Sequence, residues 1–332
     1  MKARTIAGMP VNPIGLGCMG LSAFYGPPTD HADAIALIQA AVDMGVDHFD
    51  TAEMYGMGHN EKLLGEALEG RRDTVRIATK FGPLFQTDAD GKITGTYIDG
   101  SPANMRRAVE NSLKYLRTET IDIYYLHRVD PNVPIEETVG AMSELVAEGK
   151  VRALGLSEPS GETLKKAHAT HPIAAVQSEY SIFSRDIEQT LFPALRETGA
   201  TLVAYSPLGR GMLTGKFTRE NKPDAKNDFR NPERMPRFAE GAFEANLALV
   251  EEVQGIGKEI GASAGQVALA WVLGRGEDIV TIPGTTKLAN LTHNQGARDV
   301  HLSESQTARL DRLADQVVGT RYNEQGMSAI NR

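Results

Sequence analysis

The chain has 332 residues, 41% of them hydrophobic and 23% charged, which suits a large core and excludes a disordered polymer. Its 35 basic and 43 acidic side chains give a net charge of −8, a surface that disfavours non-specific binding to nucleic acid or anionic membrane. One cysteine, Cys18, rules out an intrachain disulfide and thiolate-rich zinc sites, and fits a reducing compartment. The N-terminus, MKARTIAGMPVNP, lacks the apolar core of a signal peptide. No stretch approaches the roughly 18 apolar residues of a membrane span. A cytoplasmic protein is expected.

Short apolar runs follow one another along the chain at 13–17, 47–51, 75–80, 121–127, 151–157, 174–180, 201–207 and 278–284. Several are rich in β-branched or aromatic residues, as strands buried on both faces are. Amphipathic stretches with helix-start and helix-stop residues lie between them, at 30–44, 61–68, 102–116, 135–148, 161–171 and 187–198. Two more come in succession at 243–260 and 263–273, and a last one at 288–294. Eight strands separated by helices predict an α/β fold: a single (β/α)8 barrel over residues 1–332. An open doubly wound sheet fits the same alternation. Segments 81–101, 208–240 and 315–332 read as irregular. The first two follow strands directly, where barrel active sites are built.

Polar residues gather at the C-terminal ends of the strand runs. Asp50 closes the second and leads to Tyr55; Lys80 closes the third, His127 the fourth and Ser157 the fifth. Gln177 lies in the sixth, and Tyr205 and Ser206 are in the seventh. In a barrel these positions share one mouth. Reduction of a carbonyl by hydride leaves an alkoxide that needs a proton, and with no metal site evident a side chain must give it. A tyrosine beside an ammonium suits that task. At ~4 Å and an effective dielectric of about 20 the attraction for a phenolate is roughly 4 kcal/mol, on the order of three pKa units. Lys80 is therefore expected to depress Tyr55, Asp50 to hold Lys80, and His127 to orient the substrate oxygen.

Seven motifs occur in order across nearly the whole chain: FDTAEMYG (49–56), ATKFG (78–82), YYLHRVD (124–130), GLSE (155–158), VQSEYS (176–181), AYSPLGRGMLTG (204–215) and IPGTTK (282–287). The chain resembles the aldo-keto reductases, in their bacterial and plant-like branch. The resemblance implies Asp50, Tyr55, Lys80 and His127 as a catalytic tetrad, with Tyr55 the general acid-base. It implies Ser157 and Gln177 at the nicotinamide carboxamide and Tyr205 stacked on the ring. Ser206, Leu208, Gly209 and Gly211 would wrap the pyrophosphate. Gly284, Thr285, Thr286 and Lys287 would surround the adenosine phosphate, and Asn294 would meet the adenine.

Two departures bear on this pattern. Glu158 stands where the family often has Asn, and a carboxylate cannot donate to a carboxamide oxygen. Asn290 and His293 replace an Arg and a Glu of the last motif, so the bidentate grip on a 2′-phosphate is missing and Lys287 remains. The resemblance favours NADP(H) and leaves NAD(H) open. The implied activity is an NAD(P)H-dependent reduction of small aldehydes or ketones, or its reverse. A nicotinamide-binding regulatory subunit and a Schiff-base lyase using Lys80 are the other readings.

Gly15–Gly20 spells G-x-G-x-x-G, but two prolines delay the next helix, which argues against a dinucleotide fingerprint. His168 and His171 read as a solvated helix end. Arg230, Arg234 and Arg237 sit in a proline-punctuated loop, facing either phosphates or solvent. Phe85, Tyr97, Phe217, Phe229, Phe238 and Tyr322 are candidate apolar walls for the substrate.

Overall fold

The computed structural model describes residues 4–90, 92–224 and 228–332. Residues 1–3, residue 91 of segment 81–101 and residues 225–227 of segment 208–240 lie outside the described residues. Eight parallel strands pair in chain order: β1 (Leu16–Gly17), β2 (His48–Asp50), β3 (Arg76–Phe81), β4 (Ile121–Leu126), β5 (Val151–Ser157), β6 (Ile173–Glu179), β7 (Thr201–Tyr205) and β8 (Ile279–Thr281). The two edges then meet. Gly15 N donates to Thr281 O at 2.8 Å, Thr281 N to Pro13 O at 2.9 Å, and Gly17 bridges Gly284. The sheet is a closed (β/α)8 barrel rather than an open one.

The glycines of the GLGCMG run explain this seam. A Cβ on Gly15 would lie 2.6 Å from His48 O, and one on Gly17 would lie 2.7 Å from Ile282 O. They permit close strand approach. The next helix, His31–Asp43, starts well beyond them and is capped by Asp30, which accepts from Ala32 N and Asp33 N.

Two apolar layers hold the barrel. Inside, Ala78, Ile123, Tyr125 and Val203 pack on Ile6 and Val11 of an antiparallel hairpin, Arg4–Ile6 with Met9–Val11. That hairpin closes the N-terminal end: Thr201 Oγ1 donates to Thr5 O at 3.0 Å, and Arg4 Nη2 to Leu273 O at 2.6 Å. Tyr125 faces Gly155 across β4 and β5, and a Cβ on Gly155 would come within 2.3 Å of its ring. Outside, helices lay apolar stripes on the strands. The first buries Ala34, Leu37, Ile38 and Ala41, the spacing of one helical face.

Three segments differ from expectation. Segment 81–101 contains a hairpin, Pro83–Thr87 with Ile93–Ile98. It has no buried face, so its residues alternate against no core and leave no period-two signal. The helix expected over 187–198 breaks at Leu191 into Ile187–Thr190 and Phe192–Thr198, with Pro193 in the first turn of the second. Proline brings no N–H to continue the ladder. The C-terminal region is more ordered than expected: helix Glu304–Asp311 opens with a Ser303–Gln306 capping box, and a short helix, Glu324–Met327, lies in the tail. Among the described residues no helix is long and apolar enough to cross a membrane.

Glu61, on helix His59–Ala67, is fully buried. Its Oε1 accepts from Thr79 Oγ1 at 2.6 Å, while Oε2 has no partner. Burial pushes its carboxyl up to about 7 from an ordinary 4.5. A raised acid binds its proton more tightly in the folded state. The stability it contributes is therefore present below pH 4.5 and lost as pH rises through about 7, on the order of 3 kcal/mol. Glu61→Gln is expected to flatten this loss, gaining stability over the native chain between pH 5 and 8 in urea titrations. Parallel pH profiles for the two proteins would refute the assignment.

Candidate active site

The C-terminal strand ends bring the expected tetrad together. Asp50 ends β2 and Lys80 lies near the end of β3, both buried. Lys80 Nζ donates to Asp50 Oδ1 at 2.5 Å, to Thr51 O at 2.8 Å and to Tyr55 Oη at 3.5 Å. Asp50 Oδ2 accepts from Gln177 Nε2 at 2.7 Å, so β2, β3 and β6 are tied across the mouth. Tyr55 is delivered by a tight reversal in which Gly56, Met57 and Gly58 all have left-handed φ. His127 follows β4, its ring edge-on to Tyr55 with centroids 5.8 Å apart.

The electrostatics correct one expectation. The net shift of Tyr55 is upward, not downward. Burial, then Asp50, push the phenol well above its ordinary 10, with Arg128 opposing. Loss of water on burial outweighs the Lys80 ammonium 3.5 Å away, and that ammonium's own partner, Asp50, adds to the rise. Burial pulls Lys80 itself down, and Asp50 holds it up. His127 is held well below 6.5 by burial and by the Lys80 and Arg128 cations, so it is neutral. Its Nδ1 is buried without a partner.

Ser157 and Gln177 face each other in register on β5 and β6. Past β7 the backbone takes left-handed φ at Ser206, Gly209, Arg210 and Gly211. The turn is closed by its own backbone, Gly209 N donating to Ser206 O at 2.9 Å and Gly211 N to Leu208 O at 3.0 Å. Leu208 precedes this turn, its carbonyl accepting from Gly211 N and Leu213 N. At the seam Gly284 lies beside Gly17, and Lys287 N donates to Thr285 Oγ1 at 3.1 Å. Thr286 and Lys287 are exposed, and Asn294 is buried on helix Leu288–Gln295. Lys216, from the loop after β7, donates its ammonium to Asn290 Oδ1. A cation thus stands beside the position where the sequence lacks one.

Glu158 serves the tail. It is 3% exposed, has left-handed φ, and accepts from Arg321 Nη1 and Nη2 at 2.9 and 3.0 Å. It also accepts from Tyr205 Oη at 2.8 Å and Glu179 N at 2.9 Å. Tyr322 Oη lies 3.0 Å from Tyr205 Oη and accepts from Arg210 Nη2 at 2.6 Å. Arg210 in turn pairs with Glu179 at 2.8 Å. The tail beyond 315 is therefore part of the mouth, and Tyr322 enters it as a polar partner instead of an apolar wall.

Other expectations divide. Phe229 lines the site: it packs edge-on to Phe24 at 5.5 Å, and Phe24 packs edge-on to Tyr55 at 6.1 Å. Phe217 and Phe238 join Phe243 in an aromatic cluster. Tyr97 is 44% exposed on the outer hairpin, whose other strand carries Phe85. Arg230 is paired with Asp228, Arg237 donates to Ser184 Oγ at 2.7 Å, and Arg234 lies over the Phe229 ring. Arg128, Arg210, Arg321 and Lys216 escaped the sequence reading. Arg128 and Arg210 carried a signal, the first directly after His127 and the second between Gly209 and Gly211.

Comparison with known proteins agrees with this geometry. The model of the "Aldo/keto reductase family" matches residues 13–315. A probable aldo-keto reductase 1 of Glycine max is 45% identical over 95% of this chain and 89% of its own. The solved glycerol dehydrogenase AKR11B4 of Gluconobacter oxydans superposes with a TM-score of 0.87 at 30% identity, covering 95% of this chain and 96% of that one. An aldo/keto reductase of Klebsiella pneumoniae, solved with NADP and acetate, gives 0.73 at 28% identity over 97% and 99%. With its motifs, closed barrel and strand-end residues in agreement, the chain belongs to the aldo/keto reductase family.

Proposed function

We propose that the protein is an NADP(H)-dependent oxidoreductase that reduces small aldehydes or ketones to alcohols, or runs the reverse, with Tyr55 as the general acid-base. One observation carries this reading: a neutral, buried Tyr55 phenol sits 3.5 Å from an ammonium that is itself ion-paired. Bound NADPH would supply the hydride. Tyr55 Oη holds the proton that the developing alkoxide takes up, and Lys80 stands ready to stabilise the phenolate that remains. Its high pKa keeps that proton in place until the carbonyl oxygen becomes basic. Neutral His127, with Nδ1 unpartnered, carries its proton on Nε2 and donates it to the carbonyl oxygen.

The chain's own residues fit the cofactor. The left-handed turn at Ser206–Gly211 would lie at the pyrophosphate, with Leu208 inside it. Ser157 and Gln177 would hold the carboxamide, and Tyr205, fixed through Glu158, would back the ring. Gly284, Thr285, Thr286 and Lys287 would surround the adenosine phosphate, with Asn294 at the adenine. The Klebsiella relative, solved with NADP, supports NADP(H) as the partner.

Tyr55→Phe is expected to lower NADPH-dependent reduction of aromatic aldehydes by about 10²–10⁴-fold, with the NADPH dissociation constant kept within a few-fold. Tight binding without turnover by the native protein would instead favour a regulatory role. Because His127 is pushed below 6.5 and Tyr55 above 10, reductive kcat at saturating NADPH is expected to stay level between those values. A titration inside that window would contradict the assignment. Lys216→Met is expected to raise KM for NADPH about tenfold, the cost of one lost charge-assisted hydrogen bond of roughly 1.5 kcal/mol. KM for NADH should move little; an equal rise for both cofactors would place Lys216 away from the 2′-phosphate.

A further inference from the structure

Among the described residues, Arg128 is a cation of the mouth with no carboxylate in direct contact. Lys80 has Asp50, Arg210 has Glu179, Arg321 has Glu158, and Arg237 leans on Glu179 at 3.8 Å. Arg128 makes no ion pair among the described residues. Its Nη1 donates to His127 O at 2.7 Å and to Ser157 Oγ at 3.1 Å, which pins the guanidinium between the ends of β4 and β5. Nε and Nη2 make no hydrogen bond, and the side chain is only partly buried. Its charge is felt by Tyr55, Lys80 and His127 alike, so it stands beside the reacting groups.

Glu158 acts on the Arg128 guanidinium only from beyond hydrogen-bond distance, so the open N–H groups are left for an anion that a ligand supplies. The left-handed turn assigned to the cofactor's pyrophosphate follows β7, whereas Arg128 is anchored on β4 and β5. We propose that Arg128 receives a carboxylate carried by the substrate, making oxo-acids, that is aldehydes or ketones bearing a carboxylate group, the preferred substrate class. A planar fork with its N–H groups open matches a carboxylate in two parallel hydrogen bonds, and a single positive charge balances it. A phosphate dianion would remain half unmatched. This rests on the carbonyl-reductase reading above and names the substrate class for that same site.

Two measurements separate the claims. In the first, kcat/KM is compared for 4-carboxybenzaldehyde and 4-oxobutanoate against their methyl esters, in the native protein and in Arg128→Met and Arg128→Lys. The native protein is expected to prefer each acid over its ester at least tenfold, through KM. Arg128→Met should erase that preference, and Arg128→Lys should keep part of it. Acid and ester falling by the same factor in Arg128→Met would overturn the proposal. The second needs no turnover: calorimetric binding of benzoate and benzamide to the protein saturated with NADP+. Benzoate should bind at least tenfold more tightly than benzamide, and Arg128→Met should lose that margin. Benzoate selectivity without reduction of any carbonyl would sink the reductase reading and leave the anion site standing. Equal binding of the two would remove the anion site whatever the reductase does.

Discussion

A single buried ion pair organises the mouth of this barrel. Lys80 is fully buried and Asp50 nearly so. An ammonium out of water survives only with a counter-ion and satisfied protons. Asp50 and Thr51 O provide both, and Gln177 takes the second carboxylate oxygen. Removing one partner of such a pair typically costs about 3–5 kcal/mol, because the other is stranded. The chemistry also turns on it. Burial, with Asp50 behind it, keeps the Tyr55 phenol protonated.

A second network, built from the tail, closes the other side. Glu158, Arg321, Tyr205, Tyr322, Arg210 and Glu179 share charge-assisted hydrogen bonds. Two of these residues, Glu158 and Arg210, are held in backbone conformations that side chains avoid, with left-handed φ. Each such residue costs on the order of 1–3 kcal/mol and persists where its surroundings over-determine it. The arginine–carboxylate pairs supply that over-determination.

The barrel was legible because each strand is a short apolar run and each helix a stripe with caps. Asp50, Tyr55, Lys80 and His127 were legible because strand ends converge and motif order placed them there. What escaped depends on contacts between distant segments. Arg321 meets Glu158 from 163 residues away, and Lys216 reaches Asn290 across 74. Neither pairing leaves a local pattern. The hairpin at 83–98 escaped because a strand without a buried face carries no periodicity. The direction of the Tyr55 shift escaped because pairwise Coulomb reasoning included the ammonium and left out both the Asp50 carboxylate and the loss of water.

The seam of the barrel has its own consequence. β1 is two residues long, and the first and last strands are joined by a few bridges near residues 13–17 and 281–284. The weld is a thin one. The exposed turn at 284–287 continues directly from it. A ligand gripping that turn would act as a rivet across the joint, so its binding energy would also count against unfolding. The holo protein would then resist opening at a place where the bare chain is held by few backbone bonds.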